Sequence, residues 1–70
     1  MTFYEVQDDT GKLLGVVPAE TYSEAAQSAA ATFFKLPRYF RASGWHGQPG
    51  RFFACDGDQR AIPFHLRVKI

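Results

Sequence analysis

Apolar and polar positions alternate from the start of the chain. Tyr4 and Val6 fall on one side of an extended backbone, with Phe3, Glu5 and Gln7 on the other, so residues 3–7 read as a strand. Asp8-Asp9-Thr10-Gly11 is turn chemistry, with Gly11 able to take a positive φ. Residues 12–17 run back as a second strand, which Pro18 closes because it has no N–H for a ladder. The period then changes. Tyr22, Ala25, Ala26, Ala29, Phe33 and Leu36 share one helical face, and Pro37 stops the helix. Thr21-Tyr22-Ser23-Glu24 fits a capping box, in which the Thr21 hydroxyl accepts from the N–H of Glu24 and Glu24 reaches back to the N–H of Thr21. Alternation returns over residues 38–45, with Phe40 and Ala42 on one side and Tyr39, Arg41, Ser43 and Trp45 on the other. Residues 46–50 are a Gly/Pro loop, residues 51–55 a short strand and residues 56–59 a turn.

The last segment carries the clearest alternation. Ile62, Phe64, Leu66, Val68 and Ile70 are expected in the core, with His65, Arg67 and Lys69 outward. Pro63 predicts an edge position or a bulge near the start of this strand. The order is ββαβββ. It predicts an α+β fold, an antiparallel sheet with one Ala-rich helix packed on one face, in a single compact domain over residues 1–70. The Ala-rich face lets the helix lie close to the sheet, and Phe34, off the stripe, is expected to be partly exposed.

Composition narrows the options. Seventy residues support one thin core and little else. Seven Phe help such a core reach stability, since each ring buries a large area. Cys55 is the one cysteine, which forbids an intrachain disulfide and favours a reducing compartment. No apolar run approaches the roughly 18 residues of a membrane span, and the N-terminus lacks a signal-peptide profile. A cytoplasmic protein with no membrane association is expected. The net charge of +1 conceals a polarity. Up to Phe34, Lys12 faces Glu5, Asp8, Asp9, Glu20 and Glu24, for a net of −4; from Lys35 on, seven bases face Asp56 and Asp58, for a net of +5. Such asymmetry points to a partner.

The helix-free face of the sheet is the candidate site. Tyr39, Arg41 and Trp45 from the third strand would join His65, Arg67 and Lys69 from the last, mixing rings with cations. The loop running from Trp45 and His46 to Arg51 adds residue types that dominate interface hot spots. The plain alternatives are a solvated sheet face whose Arg and Lys stems cover the rings, and a Trp45 that merely caps the core. Cys55, His46 and His65 lack the spacing of a nucleophile with its base, so Cys55 reads as packing and no catalytic residue is expected. One Cys and two separated His supply no metal-ligand set, and Asp56-Gly57-Asp58 lacks the later ligands of a calcium loop. No phosphate-cradling motif is present and no cofactor is expected. The acidic residues of the first hairpin and helix start read as loop and cap chemistry, or as a surface for a basic groove.

In element order, size and single-domain economy the chain resembles small phage and mobile-element proteins, among them anti-CRISPR inhibitors with one helix on an antiparallel sheet. No residue motif carries the resemblance, so no site residue transfers from it. It implies a stoichiometric inhibitor that occupies a surface of a CRISPR effector complex. The expectation is therefore a non-enzymatic binding protein, a protein–protein interaction module of inhibitor type. Its contact set would be Tyr39, Arg41, Trp45, His46, Arg51, His65, Arg67 and Lys69. A single-stranded nucleic-acid-binding domain using the same face is the alternative, although a pI near 7.9 is low for that role. A homodimer through an edge strand on the Pro18 or Pro63 side is a further option.

Overall fold

The first hairpin forms because Asp8 organises its own turn. Its Oδ1 accepts from the N–H of Thr10 (2.9 Å), the hydroxyl of Thr10 (2.6 Å) and the N–H of Lys12 (3.0 Å). Gly11 takes φ 90° and the chain reverses. In the computed structural model, which describes residues 1–41, 50–57 and 60–70 (the side chain of Arg41 excepted), this hairpin joins β1 (Thr2–Asp8) to β2 (Leu13–Ala19). The helix α1 (Tyr22–Phe33) follows, then β3 (Arg38–Arg41), β4 (Arg51–Cys55) and β5 (Ala61–Val68). The strands form one antiparallel sheet in the order β2-β1-β5-β4-β3, with α1 packed on one face. The protein has an α+β fold. The helix carries the chain from one sheet edge, β2, to the other, β3.

Both strand prolines avoid breaking a ladder. The N–H of Leu66 donates to the Gly50 carbonyl and the N–H of Lys69 to the Phe3 carbonyl, so along β5 even residues address β4 and odd residues address β1. Pro63 is odd, and β1 pairing ends at Asp8 opposite Phe64. Its nitrogen therefore points past the end of β1, where no ladder bond is needed. This corrects the expected edge position: β5 is the central strand. The same alternation makes Phe3 address β5, so its partner Pro18 turns its backbone outward on the edge. Pro18 thus lies within β2 rather than closing it.

Ala25, Ala26, Ala29 and Ala30 are fully buried, and their small side chains bring α1 down onto Val6, Phe52, Phe64 and Leu66. Rings close the core at its margins: Tyr4 meets Tyr22 edge-on at 4.9 Å, and Phe34 lies 5.2 Å from Phe64. Phe34 is half-buried, as its place off the stripe implied. Past the helix, Lys35 at φ 56° turns the chain back. Leu36 then donates its N–H to the Ala30 carbonyl and buries its side chain outside the helix. The cap differs from expectation in one bond. Thr21 Oγ1 accepts from the N–H of Glu24 (3.2 Å), but Glu24 Oε2 accepts from the N–H of Glu20 (3.0 Å), one residue earlier than predicted. The β5 core row also proves shorter. Phe64 and Leu66 are buried and Ile62 half-buried, whereas Val68 and Ile70 are exposed.

Candidate interaction face

Antiparallel partners share a face, so the pairing defines the side of the sheet opposite α1 row by row. Phe40, Phe53 and Pro63 form the first row. Arg51, His65, Gln7 and Leu13 form the next. Arg67, Glu5 and Val16 follow. Phe3 and Pro18 close the face, with Lys69 beside them through its backbone bond to Phe3. Arg38 flanks the first row opposite Cys55.

The adjacent pair Phe52-Phe53 is thereby divided. Phe52 lies in the core stacked on Phe64 at 5.8 Å. Phe53 turns to the open face, where it stacks on Phe40 at 5.0 Å and 19°. Phe40 is 48% exposed, so one face of this stack is presented to solvent.

The structure corrects the third strand. Tyr39 was expected outward but pairs with Ala54, which is wholly buried beneath α1. Its ring packs edge-on against Phe52 at 6.0 Å, at the margin of the core. The alternation was read correctly and its sense was inverted. Both rows contain a ring, so burial preference alone does not choose between them. Arg41 stands opposite Phe52 in register, and its side chain lies outside the described residues. Ser43, Trp45 and His46 also lie outside the described residues.

Four expected residues do share the open face. Arg51, Arg67 and Lys69 are exposed and His65 is half-buried between Gln7 and Arg51 in register. Arg67 is engaged: its Nε and Nη2 donate to Glu5 Oε1 at 3.0 and 2.6 Å. An exposed ion pair of this kind contributes roughly 0.2–1 kcal/mol, but it removes one cation from the set free to meet a ligand. The sequence reading missed Phe40 and Arg38 as face residues. It left the register of residues 51–55 open, since one of the adjacent Phe52 and Phe53 had to turn outward, and the pairing with β3 and β5 makes that residue Phe53.

The face is shallow. A depression of about 240 Å³ lies beside the first hairpin, lined by Asp8, Asp9, Gln7, Arg51 and His65 among others. Another of about 250 Å³ adjoins Glu5, Arg67, Val68 and Ile70. Both fall short of the roughly 300–1,000 Å³ typical of small-molecule pockets. Among the described residues, no group of three His, Cys, Asp or Glu side chains is placed to hold a metal. Cys55 is buried and free, at the register position between Arg38 and Ala61. No described helix is long and apolar enough to cross a membrane. No family model, curated protein sequence or solved structure matches the chain.

Proposed function

We propose that this protein acts by binding rather than catalysis, as an interaction module that docks the open face of its sheet on a protein partner. The supporting observation is the Phe40–Phe53 stack, half exposed on the face opposite the helix and bordered by Arg38 and Arg51. A preformed ring stack loses little conformational freedom on docking. Aromatic and Arg side chains are the types that anchor interfaces once desolvated. Phe40 would seat in a partner's apolar pocket, and the guanidinium groups of Arg38 and Arg51 would pair with carboxylates around it. The finer reading is a stoichiometric inhibitor of the anti-CRISPR kind, cytoplasmic in its place of action. It rests on the organisation of the elements, which suits a small rigid plug better than an enzyme.

The test is affinity purification with the wild type beside a Phe40→Ser/Arg51→Glu double variant shown to be folded by circular dichroism. A partner retained by the wild type and lost by the variant supports the face. A partner retained equally by both removes it. A single-stranded nucleic acid is the competing ligand, because Arg38, Arg51 and Lys69 accompany the exposed ring. Oligonucleotide binding that weakens steeply with salt would favour that reading. The Glu5–Arg67 pair counts against it, since a carboxylate sits among the cations.

A further inference from the structure

The depression of about 240 Å³ beside the first hairpin has a cause in the strand register. Pro63 and His65 are successive open-face residues of β5. Gln7 of β1 stands on one side of His65 and Arg51 of β4 on the other. Asp9 follows Gln7 where the chain leaves β1 for the turn. The compact ring of Pro63 is thus set among longer polar side chains, and the surface dips there. All five residues line the depression.

Its two walls carry opposite charges that do not meet. Asp9 stands on the β1 side and Arg51 on the β4 side, and both are exposed. β5 runs between them, so the two backbones are about 10 Å apart, which is two strand spacings. Among the described residues no ion pair joins Arg51 to Asp8 or Asp9. The side chains of Gln7, Asp9, Arg51 and His65 have no hydrogen-bond partner among the described residues either. Glu5 and Arg67, on adjacent strands of the same face, close their pair at 2.6 Å. Asp8 is also different: its Oδ1 is committed to Thr10 and Lys12, which holds the turn that presents Asp9.

We propose that this depression binds a small free amino acid as its zwitterion, which bridges the two walls. The Arg51 guanidinium takes the ligand carboxylate through charge-assisted hydrogen bonds. The Asp9 carboxylate takes the ligand ammonium on the other side of β5. Gln7 and His65 border the space between them, and the ligand side chain lies over Pro63. The volume corresponds to about eight water molecules at roughly 30 Å³ each. That admits a small amino acid and excludes the drug-sized ligands of larger pockets. A simple anion drawn to Arg51 meets Asp9, and a simple cation drawn to Asp9 meets Arg51. Each half of the ligand is therefore disfavoured alone, and the molecule carrying both charges is selected.

Titration of the nitrogen-15-labelled protein with glycine, L-alanine and L-serine tests this. The amide resonances of Gln7, Asp9 and Arg51 are expected to shift saturably, with a Kd on the order of 1 mM for a site open to water. N-acetylalanine lacks the ammonium and alaninamide lacks the carboxylate. Each should bind about tenfold more weakly than alanine, or worse. Asp9→Asn should weaken alanine about tenfold while sparing N-acetylalanine, and Arg51→Gln should weaken alanine while sparing alaninamide. Both side chains are exposed, and the amide spectrum itself reports that each variant is folded. Absence of a saturable shift with all three amino acids overturns the proposal. So do half-ligands that bind as tightly as alanine, or variants that bind alanine like the wild type. Arg51 also belongs to the proposed docking face. Amino-acid binding is read on the purified protein, and partner capture with Phe40→Ser, so the two proposals fail independently.

Discussion

The ring of Phe33 occupies the space where a side chain at Gly15 would stand. A Cβ on Gly15 would come 2.5 Å from Phe33 Cζ and 2.7 Å from Cε1. Gly15 pairs with Val6 on the helix side of β2, so its missing side chain lets the last turn of α1 close over the edge of the sheet. Gly15→Ala is expected to destabilise by about 1–3 kcal/mol through overpacking. Phe33→Leu should relieve part of that, giving a coupling of about 1 kcal/mol in a urea double-mutant cycle. Strict additivity would show that the ring moves freely aside. Gly50→Ala should cost more than Gly15→Ala, because its Cβ would strike the backbone carbonyl oxygen of Leu66, which no rotamer change can move.

The helix start rests on two exposed side-chain bonds of different kinds. Thr21 satisfies an N–H within the first turn of α1, whereas Glu24 satisfies one in the approach to it. Thr21→Ala is expected to cost about 1 kcal/mol and Thr21→Ser almost nothing. For a domain of this size that loss lowers the melting temperature by about 4–8 °C. Glu24→Gln should retain the bond to Glu20, and Glu24→Ala should lose it. Thermal unfolding followed by circular dichroism checks all four variants.

Asp8 is held below the usual carboxylate range, chiefly by the hydroxyl of Thr10, then by the N–H of Lys12, with desolvation opposing them. A lowered folded pKa means that the carboxylate favours the native state. Its contribution is complete above the unfolded value of about 3.9 and disappears as pH falls through the lower folded value. The expected result is an acid limb of stability that Asp8→Asn flattens. Thr10→Ala should raise the Asp8 pKa toward its ordinary value, as read by carbon-13 titration of the carboxyl group. An unchanged Asp8 titration in Thr10→Ala would show that the hydroxyl bond is not its main cause.

Much of the architecture was legible in residue order. The turn at Asp8 to Gly11, the Thr21 cap, the Ala stripe and the alternation of β1 and β5 are local features. Each is determined by spacing and side-chain chemistry within a few residues. Val6, Phe64, Leu66, Ala25, Ala26 and Ala29 follow from those periods alone, whereas the burial of Ala30 does not. Pro63 misled because a proline reports only that one backbone position needs no donor. It does not report whether the neighbouring strand is absent or has merely ended.

What only the tertiary structure decided was the sense of each short strand and therefore the content of the open face. Alternation sorts Tyr39 and Phe40 into opposite rows, but it carries no label for inward or outward when both rows hold a ring. The register of β3 on β4 supplied that label, placing Tyr39 beside Ala54 and Phe40 beside Phe53. Likewise, the Glu5–Arg67 pair joins residues 62 apart in sequence, and only the β1–β5 ladder brings them together. Periodicity fixes which residues share a side. Long-range pairing against the helix-covered core decides which side meets the solvent.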